Sequence, residues 1–337
     1  MFPEHRGVMN VHSQTSLSVS IILNLYNAEK LLGGFLNQLL EQSDQDFELV
    51  IVDDGSTDTT VEVARSFAAK FQKLRIEEMP HVGLPAARAR GVEIASGDIC
   101  IILDVDEVIE DRDLIAKFVE PFSDPRVAAV GGSKRPIGEG WLAEAQRLDR
   151  LFRQKMRKTG KNGQSWLVMG GIFAIRRQAV LSVGGMSKSR FLVEDTDISM
   201  KLRKKGWLLL VRDDIAVSHP DPITVKGAFQ RAIVQGERIF YVLCKYPEVA
   251  LNARFLLAYT PLWVLLTLIL SWKITALLTV LSFVTIQAIY SRVPSSFLGR
   301  VYGWVLLWLN GIGVTMGSCV GAFRIVRARL SGEDLFS

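Results

Sequence analysis

Three short apolar segments in the first third of the chain constrain its fold more than any other feature. Valine, isoleucine and leucine dominate these segments, at residues 19–23, 47–52 and 99–103. Apolar residues recur at helical spacing in the neighbouring segments, at residues 28–42, 59–71 and 84–95. Near-continuous apolar strands that alternate with helices are typical of a parallel sheet covered on both faces. The sequence therefore predicts an α/β fold with a Rossmann-like, mostly parallel sheet.

Polar residues follow each of these strands, at the end where parallel sheets bind their ligands. Asn27 follows the first strand, Asp53 and Asp54 the second, and Asp104 and Asp106 the third. Carboxylate oxygens are the ligands that Mg²⁺ and Mn²⁺ prefer, and such an ion can bridge diphosphate oxygens. Two alternatives stay open. Asp-Gly at 54–55 is also typical of an ordinary turn. A single Asp-x-Asp motif is only a weak signal of a metal site, so Asp104 and Asp106 could lack that role.

Five further residues have side chains or backbone suited to the same crevice. Arg88 lies on the helix between two of the strands, where its planar guanidinium could reach a diphosphate. Gly171 opens a strand where backbone could approach a ligand closely. Glu194 and Asp195 begin a helix, and His219 follows a predicted strand at 207–211. Each assignment has an alternative. Arg88 could be a solvated surface residue, and His219 could be structural. Glu194 and Asp195 could only complement the start of a helix.

In this order, residues 19–27, 52–56, 87–88, 103–106, 170–171 and 194–195 resemble the family-2 inverting glycosyltransferases with a GT-A fold. The resemblance covers roughly residues 17–220, and its specificity comes from the ordered series of motifs. The chain departs from the family at Asn24, where proline is usual, and at Ala89, where asparagine is usual. No QxxRW motif follows His219, which disfavours processive polysaccharide synthesis.

The resemblance implies roles for these residues. Asp195 would be the general base that deprotonates an acceptor hydroxyl. The nucleotide sugar would contact Asn27, Asp53, Asp54, Arg88, Asp104, Gly171 and Glu194. A divalent ion, Mg²⁺ or Mn²⁺, would be held by Asp104, Asp106 and His219.

The last part of the chain has a different composition from the first. Charged residues crowd the first 250 positions, whereas three apolar segments follow, at residues 255–272, 274–290 and 301–323. Segments of this length are typical of membrane-spanning helices. The third segment has glycine at 313, 317 and 321, a spacing that favours close helix packing and a homo-oligomer in lipid, with simple tolerance of glycine as the alternative. Arginines at 324, 327 and 329 conflict with three full spans under the positive-inside tendency.

A basic, amphipathic pattern at residues 225–245 precedes these segments. Arg231, Arg238 and Lys245 recur every seven residues and predict one stripe of cations along a helix. We interpret it as an interfacial helix that guides a lipid phosphate, with a solvated basic face as the alternative. The net charge of +5 accompanies no nucleic-acid module, so nucleic acid is not an expected partner.

We expect five regions along the chain: a flexible tail at 1–16, a catalytic domain at 17–222, amphipathic interfacial helices at 223–254, two or three transmembrane helices at 255–323 and a basic tail at 324–337. Residues 1–16 lack the apolar core of a signal peptide, which predicts a membrane protein with a cytoplasmic catalytic domain. The expected activity transfers one sugar from a nucleotide diphosphate to a lipid-linked or polyprenyl-phosphate acceptor. The alternatives are a polysaccharide-extending transferase and an inactive scaffold that binds nucleotide sugars.

Overall fold

A computed structural model describes residues 17–157, 163–168, 171–221, 224–251, 272–291 and 295–331. Its centre is a sheet with strands β1 (Val19–Leu25), β2 (Phe47–Asp53), β3 (Leu74–Glu78), β4 (Ile99–Leu103), β5 (Val127–Ile137), β6 (Ile172–Arg176) and β7 (Leu208–Pro220). The order across the sheet is β3-β2-β1-β4-β6-β5-β7. Strand β6 is antiparallel to β4 and β5, and the other neighbours are parallel. The predicted α/β fold with a mostly parallel sheet is confirmed.

Helices cover both faces of the sheet and form the last part of the described chain. They are α1 (Glu29–Leu40), α2 (Thr60–Ser66), α3 (Leu84–Ile94), α4 (Leu114–Val119), α5 (Gly140–Arg157), α6 (Arg177–Ser182), α7 (Glu194–Lys204), α8 (Val225–Lys245), α9 (Trp272–Tyr290) and α10 (Phe297–Ser331).

Burial on both faces explains why the central strands are apolar at nearly every position. Ile21 of β1 packs in a core with Phe35 of α1 on one face. Its neighbour Ile22 packs in a second core with Ala87 of α3 on the other face. Successive side chains of a strand point to opposite faces, so a strand with two covered faces needs apolar residues throughout.

Several boundaries differ from the predicted ones. Helix α2 ends at Ser66 instead of residue 71, and turns follow it. The strand predicted at 207–211 continues as β7 to Pro220, so His219 lies within a strand and not after it. Pairing along β5 sustains this extension, with Pro136 opposite His219.

The last helices pack on each other and on α5. A Cβ atom at Gly317 of α10 would lie 1.9 Å from the carbonyl oxygen of Ile233 in α8, so only glycine permits this approach. The predicted glycine stripe therefore serves packing against α8 of the same chain. Helix α10 also continues through Arg324 and Arg327 to Ser331, so these cations belong to the helix and not to a separate tail.

One helix in the described part of the chain is long and apolar enough to cross a membrane, at residues Phe297–Ala328. Length and composition alone support this assignment. Helix α9 corresponds to the second predicted apolar segment, and its apolar part, Ala276–Ala288, is shorter. The first predicted segment lies outside the described residues, apart from Trp272.

Candidate active site

Parallel pairing brings the predicted polar clusters to one edge of the sheet. Leu25 at the end of β1 lies opposite Asp53 of β2, and Leu23 lies opposite Leu103 of β4. The residues that follow these strands therefore leave the sheet side by side. The carboxyl edge of β1, β2 and β4 is the start of the candidate site.

The first two predicted carboxylates hold the loops at this edge. Asp53 accepts hydrogen bonds from the backbone N–H of Ser56 at 2.9 Å and from its hydroxyl at 2.5 Å. Asp54 is buried and accepts hydrogen bonds from the N–H groups of Val82 at 2.8 Å and Gly83 at 2.9 Å. Both carboxylates therefore support the loop backbone, and their contact with a nucleotide stays a prediction.

Asn27 joins the same loop network. Its backbone has a positive φ of 50°, a conformation that asparagine tolerates better than most residues. Its side-chain oxygen accepts a hydrogen bond from the N–H of Thr57 at 2.9 Å, and its own N–H donates to the Ser56 hydroxyl. Asn27 thus ties the end of β1 to the loop after β2.

An exposed aromatic pair beside Asp54 was not predicted from the sequence. The rings of Tyr26 and His81 are stacked with centroids 4.1 Å apart. His81 Nδ1 lies 2.9 Å from Asp54 Oδ2, so the buried carboxylate orients the imidazole. About half of each side chain remains exposed, which leaves the pair accessible to a planar ligand.

Arg88 is the centre of a buried ion-pair group. It donates one hydrogen bond to Asp104 at 2.5 Å and another, shorter one to Glu194 at the start of α7. Burial alone would lower the pKa of Arg88, but Asp104 and Glu194 raise it above its ordinary value. The guanidinium therefore stays charged and joins α3, the end of β4 and α7.

Lys134 of β5 gives Asp104 a second cation, and this residue was not predicted. Its ammonium lies 2.9 Å from Asp104 and 2.7 Å from the buried Glu107. Burial alone would raise the pKa of Asp104, yet Arg88 and Lys134 hold it well below its ordinary value. Burial raises the pKa of Glu107 to about 8. Asp104 is thus an ionised, fixed carboxylate with about a quarter of its side chain exposed.

Gly171 is required by this arrangement. It has a positive φ of 84°, and an added Cβ atom would lie 2.0 Å from Asp104 Oδ2 and 2.3 Å from Lys134 Nζ. Its carbonyl oxygen accepts a hydrogen bond from the N–H of Asp104 at 3.2 Å. The close approach at Gly171 is to the Asp104 and Lys134 side chains, and the predicted approach of its backbone to a ligand stays a prediction. Gly170 lies outside the described residues.

Asp106 and His219 form a second polar group beside Asp104. His219 Nε2 lies 3.4 Å from Asp106 Oδ2, and this contact lowers the pKa of Asp106. The other oxygen, Asp106 Oδ1, is buried and accepts no hydrogen bond from the described residues. On the far side of the imidazole, Asp221 Oδ1 lies 3.8 Å from Nδ1. Asp221 itself is paired with Arg150 and Arg231.

The predicted metal ligands are therefore only partly assembled. Within the described ranges, no three His, Cys, Asp or Glu side chains form a group that could hold a metal ion. Asp104 is engaged by Arg88 and Lys134 instead of joining Asp106 and His219. Two protein ligands with one unpaired buried oxygen nevertheless fit an ion that takes its remaining ligands from water and substrate phosphates, as Mg²⁺ commonly does.

Asp195 lies in the first turn of α7, next to Glu194. Its carboxylate is half-buried and accepts a hydrogen bond from the Thr196 hydroxyl at 3.0 Å. Its charge also contributes to the raised pKa of Arg88, which indicates that Asp195 lies near the buried ion-pair group. The predicted base is thus fixed by a helix that is itself anchored through Glu194.

The three cations predicted to form a stripe on α8 have three different environments. Arg231 pairs with Asp221 at 2.8 Å, and Lys245 pairs with the buried Asp197 at 2.9 Å. Arg238 lines a cavity between α8 and α10. Lys245 is therefore a structural cation, which corrects the idea of a common lipid-facing stripe.

Comparisons with known proteins agree with this architecture. Residues 20–184 match the family model "Glycosyl transferase family 2". The O-antigen chain rhamnosyltransferase RfbN of Salmonella typhimurium is 23% identical in an alignment of 270 residues that covers 74% of this chain and 84% of that protein. The uncharacterized glycosyltransferase YibD of Escherichia coli is 31% identical over 156 residues, 45% of this chain and 43% of YibD. The chain therefore spans less than half the length of YibD.

A solved structure has the same fold over most of the chain. It is the mannosyltransferase PcManGT from Pyrobaculum calidifontis in complex with GDP-Man and Mn²⁺, with a TM-score of 0.67 and 20% sequence identity. The superposition covers 91% of this chain and 88% of that one. With its sheet order and its polar carboxyl edge, the chain belongs to glycosyl transferase family 2, an inverting family, and has a GT-A-like fold.

Proposed function

We propose that the chain transfers a sugar, with inversion, from a nucleotide diphosphate sugar to a lipid-linked or polyprenyl-phosphate acceptor at a membrane. The observation that carries this proposal is the group formed by Arg88, Asp104 and Glu194 beside Asp106 and His219. These charges meet at the carboxyl edge of a family 2 sheet, where such folds bind ligands.

The donor would lie along the edge of β1, β2 and β4. The exposed faces of Tyr26 and His81 offer a stacking surface for a base. Asp104 presents an ionised carboxylate to the ribose, held in position by Arg88 and Lys134. Because both terminal nitrogens of Arg88 already bind carboxylates, its main role in this proposal is to orient Asp104 and α7. Lys134 supplies the nearby positive charge.

A divalent ion fits beside Asp106 and His219. Its two candidate ligands are the buried, unpaired Oδ1 of Asp106 and Nε2 of His219. Bound Mg²⁺ or Mn²⁺ would stabilise the negative charge that develops on the leaving nucleoside diphosphate. The PcManGT structure, which is a complex with GDP-Man and Mn²⁺, supports this chemistry by analogy.

Asp195 would act on the acceptor. For a hydroxyl acceptor, its carboxylate takes the proton as the oxygen bonds to the anomeric carbon and the bond to the diphosphate breaks. A phosphate acceptor is already an anion at neutral pH, and Asp195 would then orient it. Anchoring of α7 through Glu194 and Arg88 keeps this carboxylate at the same sheet edge as the donor.

Two observations support a lipid acceptor and a membrane location. Helix α10 contains one segment of membrane-spanning length and composition. RfbN is named for the transfer of rhamnose to O-antigen chains, which places a relative in glycan biosynthesis. In this proposal the catalytic domain lies on the cytoplasmic side. Extension of a polysaccharide remains the second candidate, because the same relative acts on a chain.

Turnover of radiolabelled nucleotide sugars by the detergent-solubilised chain tests the proposal. We expect one UDP- or GDP-sugar to label a lipid fraction in the presence of Mg²⁺ or Mn²⁺ and not after chelation. Asp106→Asn and Asp195→Asn should each reduce turnover by roughly 10²- to 10⁴-fold, whereas Asp213→Asn, on the exposed part of β7, should not. Unchanged turnover in both site variants would rule out this mechanism. Absence of turnover in the wild type would favour an inactive scaffold.

A further inference from the structure

A cavity of about 460 Å³ lies outside the sheet edge, between α8, the end of α10 and the segment before α7. Arginine side chains dominate its polar lining. Its lining includes Arg190, Phe191, Glu237, Arg238, Arg324 and Arg327. Among the residues that the structure describes, this lining includes none of the aspartates assigned to the donor crevice. The cavity is therefore a separate feature of the molecule.

The charges around the cavity do not balance. Its one carboxylate among the described lining residues, Glu237, pairs with Arg324 at 2.6 Å. No ion pair with a carboxylate is found for Arg190, Arg238 or Arg327 in the part of the chain that the structure describes. Three cations that line one cavity attract an anion, since an anion between them offsets their mutual repulsion. The planar guanidinium groups are suited to a phosphate, which can accept several hydrogen bonds at once.

An exposed apolar face of α10 leads to this cavity. Met316, Val320, Phe323 and Leu330 are 50%, 41%, 71% and 85% exposed. Their spacing of four, three and seven residues puts them on one face of the helix. Gly313, Gly317 and Gly321 of α10 lie on a different face and pack against α8. A ligand with an anionic head and a hydrocarbon chain would match both the cavity and this face.

The segment before α7 connects the cavity with the proposed base. Arg190 precedes Asp195 by five residues, so their Cα atoms are at most about 18 Å apart even in a fully extended chain. The segment is shorter than that limit, because the N–H of Leu192 bonds to the carbonyl oxygen of Ser189 in a turn. A head group in the cavity therefore lies within the length of a short glycan from Asp195.

We propose that the arginine cavity binds the phosphate of the acceptor lipid, with its hydrocarbon along Met316, Val320 and Phe323 of α10. This inference rests on the proposed function and narrows it. A phosphate held outside the donor crevice is a handle and not the attacking group. The nucleophile is then a sugar hydroxyl farther along the acceptor, and Asp195 takes its proton. The acceptor class is a phosphate-linked sugar on a lipid.

Direct binding tests the site without any donor. Farnesyl phosphate is titrated by calorimetry into the full chain in an uncharged detergent, with farnesol, inorganic phosphate and dihexanoyl phosphatidic acid as comparison ligands. Arg238→Gln and Arg327→Gln should each weaken farnesyl phosphate binding about tenfold, since each removes charge-assisted hydrogen bonds to phosphate. Lys226→Gln removes an exposed cation from the same helix outside the cavity and should leave the dissociation constant unchanged. Neither Arg238 nor Arg327 is buried, so both variants should remain folded, and thermal unfolding checks this.

Three outcomes would overturn the inference. The first is equal farnesyl phosphate binding by the wild type and the Arg238→Gln/Arg327→Gln double variant, and the second is competition by inorganic phosphate at the concentrations where farnesyl phosphate binds. The third is binding of dihexanoyl phosphatidic acid as tight as that of farnesyl phosphate. The last would indicate a site for bilayer lipids. In the transfer assay, the arginine variants should raise KM for a sugar-bearing lipid phosphate and leave KM for the donor unchanged. If the wild-type chain turns over no donor, the proposed function and the acceptor role of the cavity both fail. The loss of farnesyl phosphate binding in the arginine variants can still be measured in that case, so the two failures are distinguishable.

Discussion

The sheet edge and the cavity between α8 and α10 both contain arginine, but in opposite surroundings. At the sheet edge, the Arg88 side chain is 3% exposed and binds two carboxylates. In the cavity, Arg190 and Arg327 are exposed and Arg238 is half-buried, with one carboxylate among the described lining residues. Buried charges need partners because desolvation is costly, whereas exposed charges can remain hydrated until a ligand arrives.

This contrast separates two uses of the same side chain. A buried arginine that binds two carboxylates fixes the positions of other groups, so its removal should damage the fold. A hydrated arginine in a cavity contributes little to the fold and much to binding an anion. The variants below test how far this distinction holds, in order of expected effect.

Arg88→Met should cause the largest loss. It leaves the buried Glu194 and the mostly buried Asp104 without their shared cation, a change that typically lowers the free energy of unfolding by about 3–5 kcal/mol. Arg90→Met is a matched control on the same helix, because Arg90 is 40% exposed and pairs with Glu77. That change should cost much less than Arg88→Met, because water screens the exposed Arg90–Glu77 pair. Chemical denaturation of both variants measures the difference, and equal losses would refute a special role for the buried group.

Gly317→Ala should be next, and it probes the helical half. The added Cβ atom would lie 1.9 Å from the backbone oxygen of Ile233, which cannot move without separating α8 from α10. Overpacking of this kind typically costs about 1–3 kcal/mol. Gly33→Ala in α1 is the control, since a Cβ atom there has no neighbour within 4 Å. That exchange should stabilise the chain by about 0.4–1 kcal/mol, so a loss at both positions would point to a general intolerance of alanine.

The sheet could be predicted from the sequence because burial on both faces leaves an unbroken apolar signal. β1, β2 and β4 are apolar at nearly every position, and their predicted starts are correct. β7 lacks this signal, because Arg212, Asp213 and Asp214 interrupt it where the strand is partly exposed. Its length depends on pairing with β5, which no local pattern reveals.

The candidate site was predictable to a similar degree. Asp104, Asp106 and Asp195 are recognisable because they follow a strand or begin a helix. Their partners are not, since Arg88 and Glu194 are separated by 106 positions and meet only through the tertiary fold. Lys134 was missed for the same reason, although it stands on the polar end of β5 after an apolar run and two glycines.

Asp221→Asn tests whether the polar group beside Asp106 supports a metal ligand. Asp221 lies 3.8 Å from His219 Nδ1 and can orient the ring so that Nε2 faces the proposed metal position. Loss of such a supporting carboxylate commonly lowers metal affinity by roughly 10- to 100-fold. Calorimetric titration of Mn²⁺ in the presence of a nucleoside diphosphate measures this, with Asp213→Asn as the control. Unchanged affinity would mean that His219 does not depend on Asp221, or is no ligand.

Asp214→Asn should have the smallest effect, because its ion pair is the exposed counterpart of the group around Arg88. Asp214 is 49% exposed in its side chain and pairs with Arg212 at 2.7 Å, and this hydrogen bond lowers the pKa of Asp214 below its ordinary value of 3.8. A lowered carboxyl pKa contributes stability above pH 3.8 and loses it as the pH falls through the folded-state value. Solvent screening limits the contribution to roughly 0.2–1 kcal/mol at neutral pH.

Arg212 also pairs with Glu120, so the cation keeps a partner after the exchange of Asp214. Because protonation of Asp214 removes its stabilising charge, the difference in unfolding free energy between wild type and Asp214→Asn should shrink towards zero below pH 3.8. It should also shrink in 1 M salt, where charges are screened within about 3 Å. The corresponding difference for Arg88→Met should survive the same salt, because its partners are shielded from solvent. The distinction between buried and hydrated ion pairs would be wrong if salt reduced the unfolding free-energy difference for Arg88→Met but not the difference for Asp214→Asn.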